Sequence, residues 1–393
     1  MGEEVIEVNK YYDWWFDNAI EFLGYLLEDK LKIKVNWEED KISFEKLNDK
    51  QIKHLIGEIE RLIDYKLKYK KVNKKTQIKE SKLRTYLPAI HNGKYVGILK
   101  KIKEKDKIFN TKIDFLSKNI KNMKNSKICD VCGNYYTPFD KNINKLTQIV
   151  YPSTTTSLKS LCGIRKPQPE NTCCIKCAFL GSIEWLDDYP FISVYGTSSN
   201  KHCLLFPLLN NLQELHKFKN IMRNPNTGIF EQKEHSNILN SKSTDSYSLL
   251  LNIYEKLYEK TKIIRELDKI LCDDWVELEI KNGFFYVKNL KIPNLERLKK
   301  IFESMFYKYS WFPYSNFIKY TFAKPLKSGN INNDLSNENQ YLMSKGILMD
   351  DFKTFAKAFQ IRKGCIVGFK RDIGNFKDKK DKLNIIMESW RGI

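Results

Sequence analysis

Six of the nine cysteines fall between Cys129 and Cys177. The stretch opens as Ile128-Cys129-Asp130-Val131-Cys132-Gly133 and closes as Cys174-Ile175-Lys176-Cys177-Ala178-Phe179. Two Cys-x-x-Cys pairs therefore face each other across 41 residues. Such a turn aims two thiolates at one centre, and a following Gly lets the backbone curl beneath them. Two pairs supply four thiolates, the donor set of a closed tetrahedral site. Zinc suits that set best, and an iron–sulfur cluster is the alternative. Cys129, Cys132, Cys174 and Cys177 are the expected ligands, because only they share the matching spacing. Cys162 and Cys173 are the competing thiols. Between residues 133 and 173 there is no His, and the carboxylates are Asp140 and Glu170. Four thiolates leave no open coordination position, so the expected role is structural rather than catalytic.

The pairs stand further apart than the about 15–20 residues of most ribbons. The interior is poor in charge and includes Tyr151-Pro152-Ser153-Thr154-Thr155-Thr156-Ser157, which predicts an extended insert. On the N-terminal side, Trp15, Ala19, Phe22, Leu23 and Leu26 recur at three- and four-residue spacing, predicting a helix over 11–31. The neighbouring Tyr11, Tyr12, Trp14 and Phe16 suggest base stacking, but ordinary core is the better reading. Alternating runs at 31–35 and 41–44 predict a hairpin, and Ile52, Leu55, Ile56, Ile59 and Leu62 a second helix over 49–69. Beyond the cysteines, a helix is expected over 178–186. Strands follow at 191–195 and 202–206, and helices at 209–222 and 247–271. Asn282-Gly283 marks a hairpin, Pro293 the start of a helix, and 328–340 a linker or exposed loop.

The net charge of +20 is carried by 59 Lys and 9 Arg beside 34 Asn, a skew that an AT-rich coding sequence produces. Its distribution says more than its total. Residues 66–128 hold 20 Lys and Arg against 4 Asp and Glu, whereas the rest of the chain holds 48 against 44. Lys66, Lys68, Lys70, Lys71, Lys74, Lys75, Lys79, Lys82, Arg84, Lys94, Lys100, Lys101 and Lys103 form the core of this segment. Tyr65, Tyr69, Tyr86 and Tyr95 interleave with them. Nucleic-acid phosphate is the commonest partner of such a surface, and rings beside lysines suit a groove that tracks an unwound strand. A solvated helix face with core tyrosines is the competing reading.

No apolar run approaches the roughly 18 residues that span a bilayer. The N-terminus has no basic region followed by an apolar core. Clustered cysteines without a disulfide pattern fit a reducing compartment, so a cytoplasmic protein is expected. The isolated Cys203, Cys272 and Cys365 read as buried small apolar side chains. No phosphate-binding Gly loop or His-Glu-x-x-His is present, and the five histidines are scattered. Asp187-Asp188 and Asp273-Asp274 could hold Mg²⁺ but read better as turn acids, and Asp350-Asp351 as a helix cap. The expected class is α+β and multidomain: a basic α/β region over 1–128 and a zinc-ribbon-like four-cysteine insertion over 129–178. An α/β region over 179–306 and a mainly helical one over 307–393 follow.

Ile-Cys-x-x-Cys-Gly at 128–133, Cys-x-x-Cys-Ala-Phe at 174–179 and a Lys-rich N-terminal region resemble one known group. The chain is similar, over about residues 10–300, to the CXXC–CXXC family of large subunits of type I-A and I-B CRISPR Cascade complexes. The resemblance rests on Cys129, Cys132, Gly133, Cys174 and Cys177. It implies a non-catalytic subunit at the foot of the complex, near the 5′ handle of the crRNA, in contact with the handle-binding and backbone subunits. It further implies reading of the protospacer-adjacent motif in target DNA and help in opening the duplex. The R-loop would then pass to a separate helicase–nuclease, and a C-terminal helical bundle would complete the fold. Sequence specificity would lie in guide pairing, with lysines holding backbone. Two readings stay open beside it: a zinc-ribbon-containing metal-dependent nuclease of a defence system, and a zinc-stapled RNA-binding protein outside CRISPR.

Overall fold

The fold is taken from a computed structural model of the 393-residue chain. It describes residues 5–67, 126–138, 144–148, 150–154, 171–187, 191–195, 201–223, 245–261, 272–281, 284–308, 333–358 and 384–391. In chain order the elements are β1 (Val5–Asn9), α1 (Trp14–Tyr25), a π-helical turn (Leu26–Lys30), β2 (Val35–Trp37), β3 (Lys41–Glu45) and α2 (Asp49–Leu67). Then come β4 (Lys127–Ile128), β5 (Tyr135–Tyr136), α3 (Ile175–Ile183) with a 3₁₀ turn (Glu184–Leu186), β6 (Phe191–Tyr195), β7 (Lys201–Leu208) and α4 (Leu212–Arg223). Last are α5 (Ser246–Thr261), β8 (Asp274–Lys281), β9 (Phe284–Lys291), α6 (Leu295–Lys308), α7 (Asn333–Leu348) and α8 (Phe352–Lys357). Helices with small antiparallel sheets make this an α+β protein. None of the described helices is long and apolar enough to cross a membrane.

The chain divides into two compact units. One holds Met1–Pro190, Phe206–Asn220 and Leu278–Val287; the other holds Phe191–Leu205, Ile221–Glu277 and Lys288–Ile393. In the first, α1 is the central element. It starts at Trp14 rather than at Tyr11, because Asp13 caps it by accepting from the N–H groups of Trp15 (2.9 Å) and Phe16 (3.1 Å). Tyr12 precedes the cap with φ 57°, a conformation rare for a residue with a Cβ, and is 78% exposed. Trp14, Trp15 and Phe16 are core, as expected of this aromatic group, whereas Tyr12 is not, because the turn before the cap points it to solvent. Trp15 meets Trp185 edge-on at 4.8 Å and Phe206 at 5.6 Å.

The expected hairpin is present, with its first strand at 35–37 rather than 31–35, because Lys32 turns the chain at φ 57°. The alternating residues of β1 add a third strand that the sequence reading left out. The order is β1-β3-β2, with Ile6 opposite Phe44 and Val8 opposite Ile42. All four of those side chains are buried.

One side of α1 carries charge inward. Lys219 of α4 lies between Glu21 (3.0 Å) and Asp187 (2.6 Å) and donates to Asn18 Oδ1 (3.2 Å). All three charged side chains are at most 2% exposed. One turn earlier, His216 Nδ1 meets Glu21 at 2.9 Å, and its ring stacks on Trp37 at 3.6 Å. Asp187 is thus one arm of a buried ion cluster, while Asp188 lies outside the described residues.

β6 and β7 pair antiparallel from Phe191↔Leu205 to Tyr195↔Lys201, within a sheet ordered β6-β7-β8-β9. The strands on either side of Asn282-Gly283 form as their alternation predicts. Cys203 and Cys272 are buried, and Cys365 lies outside the described residues. The expected loop over 328–340 is corrected: residues from Asn333 onward are the first half of α7. Its Asn and Ser residues are poor helix formers, but packing against α5 decides the conformation, and Met343 and Ile347 are buried there. Asp351 caps α8 as expected, accepting from Thr354 N–H at 2.9 Å. Arg297 joins this end of the unit together, pairing with Asp350 (2.9 Å), donating to Ile347 O and lying 4.3 Å from the ring of Trp390.

Replacing Lys219 by Ala removes the cation between two buried carboxylates. The expected loss is about 3–5 kcal/mol, the cost of breaking a buried pair from one side. The urea unfolding midpoint of Lys219→Ala against the parent measures it, and an unchanged midpoint would contradict the assignment.

Candidate metal centre

The four cysteines of matching spacing come together in the first unit. Their sulfurs all lie within 4.8 Å of one another, and Cys129, Cys174 and Cys177 are buried. Cys129 and Cys177 are 3.7 Å apart, Cys132 and Cys174 3.8 Å, and Cys174 and Cys177 3.4 Å. A tetrahedron of thiolates with metal–sulfur bonds of about 2.3 Å has edges of about 3.8 Å. The donor set and its spacing fit a tetrahedral metal ion, so these residues can hold one.

Each pair sits on a local structure that the sequence dictates. The first spans the turn between β4 and β5, whose ribbon pairs Lys127 with Tyr136 and Ile128 with Tyr135. Gly133 takes φ +70°, the left-handed position its missing Cβ permits, and its N–H donates to Cys129 O at 2.9 Å. The second pair opens α3. Cys174 is its N-cap, and its sulfur accepts from Cys177 N–H at 3.5 Å. Both sulfurs therefore lie at the positive end of a helix dipole, which favours thiolate. The Cys174 N–H also points at Cys129 Sγ, at 3.2 Å, joining the two knuckles.

Charge explains why a cation belongs here. Hydrogen bonds with Cys129, Cys174 and Cys177 pull the Cys132 thiol well below its ordinary range. Cys129 is lowered to about 7: its bond with Cys132 opposes this, and those with Cys174 and Cys177 prevail. Cys174 is raised by its bonds to Cys129 and Cys132, and Cys177 is raised by burial. The four resist ionising together because their charges would repel at close range. A divalent cation at their centre reverses that penalty.

Around the sulfurs lies a shell the sequence reading did not foresee. The Tyr11 hydroxyl is 3.3 Å from Cys177 Sγ, and burial beside Cys177 keeps the phenol protonated, so it can donate to the sulfur when Cys177 is a thiolate. Tyr11 stacks on Phe16, and the Lys176 ammonium lies over the Tyr11 ring, 5.8 Å from its centroid. The described part of the insert is docked rather than extended. Trp15 Nε1–H is shared between Val150 O (2.8 Å) and Gly181 O (3.1 Å), and the Tyr151 hydroxyl donates to Asp13 at 2.7 Å. A Cβ on Gly181 would lie 1.9 Å from Val150 O, so the insert backbone reaches α3 only because residue 181 has no side chain. Asn144 and Cys173 exchange two bonds of 2.8 Å, and Asp130 and Thr172 bond in both directions. Cys173 is buried and lies outside the four-sulfur group, with burial raising its thiol. Cys162 lies outside the described residues.

Of the basic candidates, Lys66 alone is among the described residues. Lys66 falls in the last turn of α2. Lys68, Lys70, Lys71, Lys74, Lys75, Lys79, Lys82, Arg84, Lys94, Lys100, Lys101 and Lys103 lie outside the described residues. Asp274, weighed as a Mg²⁺ ligand, faces Lys291 at 3.8 Å. Compared with protein-family models and with curated proteins, the sequence matches none.

Three measurements test the centre and its surroundings. The purified full chain should carry one metal ion per molecule, counted by elemental analysis, and Cys129→Ser or Cys174→Ser should lose it. Tyr11→Phe should keep the metal but weaken its affinity by about 10–100-fold in chelator competition, the usual effect of removing an outer hydrogen bond. Gly181→Ala should release the insert from α3 and lower the thermal midpoint by several degrees.

Proposed function

We propose that the chain is the non-catalytic large subunit of a CRISPR RNA-guided DNA surveillance complex, with a structural zinc held by Cys129, Cys132, Cys174 and Cys177. The observation that carries the reading is the convergence of these four cysteines, because they are the residues on which the family resemblance rests. Zinc fits the donor set: four sulfurs, no open position and no carboxylate among the grouped ligands. When bound, it supplies folding energy and fixes the two knuckles against α1 and α3.

The excess of positive charge in 66–128 supports contact with nucleic-acid backbone. In this reading the segment holds target DNA near the protospacer-adjacent motif while the crRNA supplies sequence recognition. Handle-binding and backbone subunits position the chain, and a helicase–nuclease acts after the R-loop forms. Two of the acids a nuclease would recruit are engaged elsewhere, Asp187 with Lys219 and Asp274 facing Lys291. That favours the subunit over the nuclease.

Affinity purification of the full chain from its native host tests the proposal. The expected result is co-purifying RNA with a repeat-derived 5′ handle joined to variable spacers, together with the handle-binding and backbone proteins. RNA without repeat sequence would sink it. Plasmid cleavage with Mg²⁺ or Mn²⁺ that disappears in Asp274→Ala would favour the nuclease instead.

A further inference from the structure

A second group of cations and rings lies in the second unit, far along the chain from the basic segment. Lys288 of β9 and Lys345 of α7 converge on Tyr247 of α5. Their ammonium groups stand 4.6 and 5.6 Å from its ring centroid. Lys345 is also 5.5 Å from the ring of Tyr341, which meets Tyr247 edge-on at 5.7 Å. Three elements thus bring two cations and two phenols to one place.

The hydrogen bonds leave this group with donors to spare. Lys288 donates to the Tyr247 hydroxyl at 3.0 Å, and Lys345 to the Tyr341 hydroxyl at 3.3 Å. Each phenol oxygen accepts from an ammonium, so its own proton is directed away from that lysine. Neither proton has an acceptor among the described residues. Each ammonium has three protons and uses one on its phenol. Among the described residues, the ion pair made by these two lysines is that of Lys288 with Glu277, whose carboxylate is buried and 3.9 Å away. Lys345 is in no ion pair among the described residues. The cluster therefore carries an excess positive charge, and the Lys288 side chain is 52% exposed. Tyr247 is a buried floor, and Tyr341 is half-exposed beside it.

We infer that Lys288, Lys345 and the hydroxyls of Tyr247 and Tyr341 form a binding site for a phosphate group of a nucleic-acid strand. Two ammonium groups and two phenol protons match the several oxygens of one phosphodiester. The half-exposed ring of Tyr341 offers a face on which an adjoining base can stack. The occupant is taken to be a strand rather than a free ion because the half-exposed Tyr341 ring and the 52% exposed Lys288 side chain lie beside the buried Tyr247, so a base can stack next to the bound phosphate. That choice of strand rests on the function proposed above; the anion site itself stands on these four residues.

The test uses the full metal-loaded chain and a fluorescent single-stranded oligonucleotide, titrated over a range of salt. Lys288→Ala/Lys345→Ala should make the slope of log affinity against log salt shallower by about 0.7, the value for loss of one phosphate contact on a single strand. Tyr247→Phe/Tyr341→Phe keeps the rings and charges and should weaken binding by about tenfold, while Lys345→Arg should retain it. Unchanged far-UV circular dichroism and thermal midpoint check that each variant folds. Parent-like slope and affinity in both double variants would overturn this site while leaving the proposed subunit role intact. Displacement of the strand by inorganic phosphate at equal phosphate concentration would assign the site to a free anion and overturn the choice of strand. A shallower slope in a chain that co-purifies with no repeat-derived RNA would keep the site and reject the CRISPR role.

Discussion

Repulsion between thiolates is the constraint on which the first unit is built. Four sulfurs within 4.8 Å cannot all carry charge unless a cation lies between them. The fold meets this with positive potential from uncharged groups. The Cys174 N–H faces one sulfur, the start of α3 faces two, and the Tyr11 hydroxyl faces Cys177. The knuckles are therefore joined to α1 as well as to each other.

Helix α1 carries opposite solutions on its different sides. Trp15 donates its indole N–H to two carbonyl oxygens, of the insert and of α3, in a setting of aromatic rings. Asn18 and Glu21 instead face a buried lysine. Burying a charge is tolerable only where its partner is fixed in place, and Asp187 follows directly on the 3₁₀ turn after α3. The helix that presents two cysteines thus also leads into a carboxylate of the ion cluster.

The sequence made the four cysteines legible because their chemistry is local. A Cys-x-x-Cys turn needs only neighbouring residues, and two equal spacings select four sulfurs from nine cysteines. The cap at Asp351, the hairpin around Asn282-Gly283 and the buried Trp15 were readable for the same reason. Tyr11 was not: a donor to Cys177 lies 166 residues away, and nothing in its neighbours distinguishes it from a core tyrosine. Lys219 looked like any lysine of an amphipathic helix, and its partners are nearly two hundred residues upstream or on another element. The helix over 333–348 was hidden by Asn and Ser, which carry little helical preference until α5 supplies a packing surface.

The long separations within the first unit have a consequence for how the chain is made. Asn18 and its partner Lys219 are 201 residues apart, and Trp15 and Gly181 are 166 apart. At roughly 5–20 residues per second, a ribosome needs about 10–40 s between placing Glu21 and supplying the lysine that neutralises it. During that interval α1 has emerged with its tryptophans and its inward carboxylate but without the surfaces that cover them. This side of α1 is completed only once α4 has been made and Lys219 can reach Asn18 and Glu21.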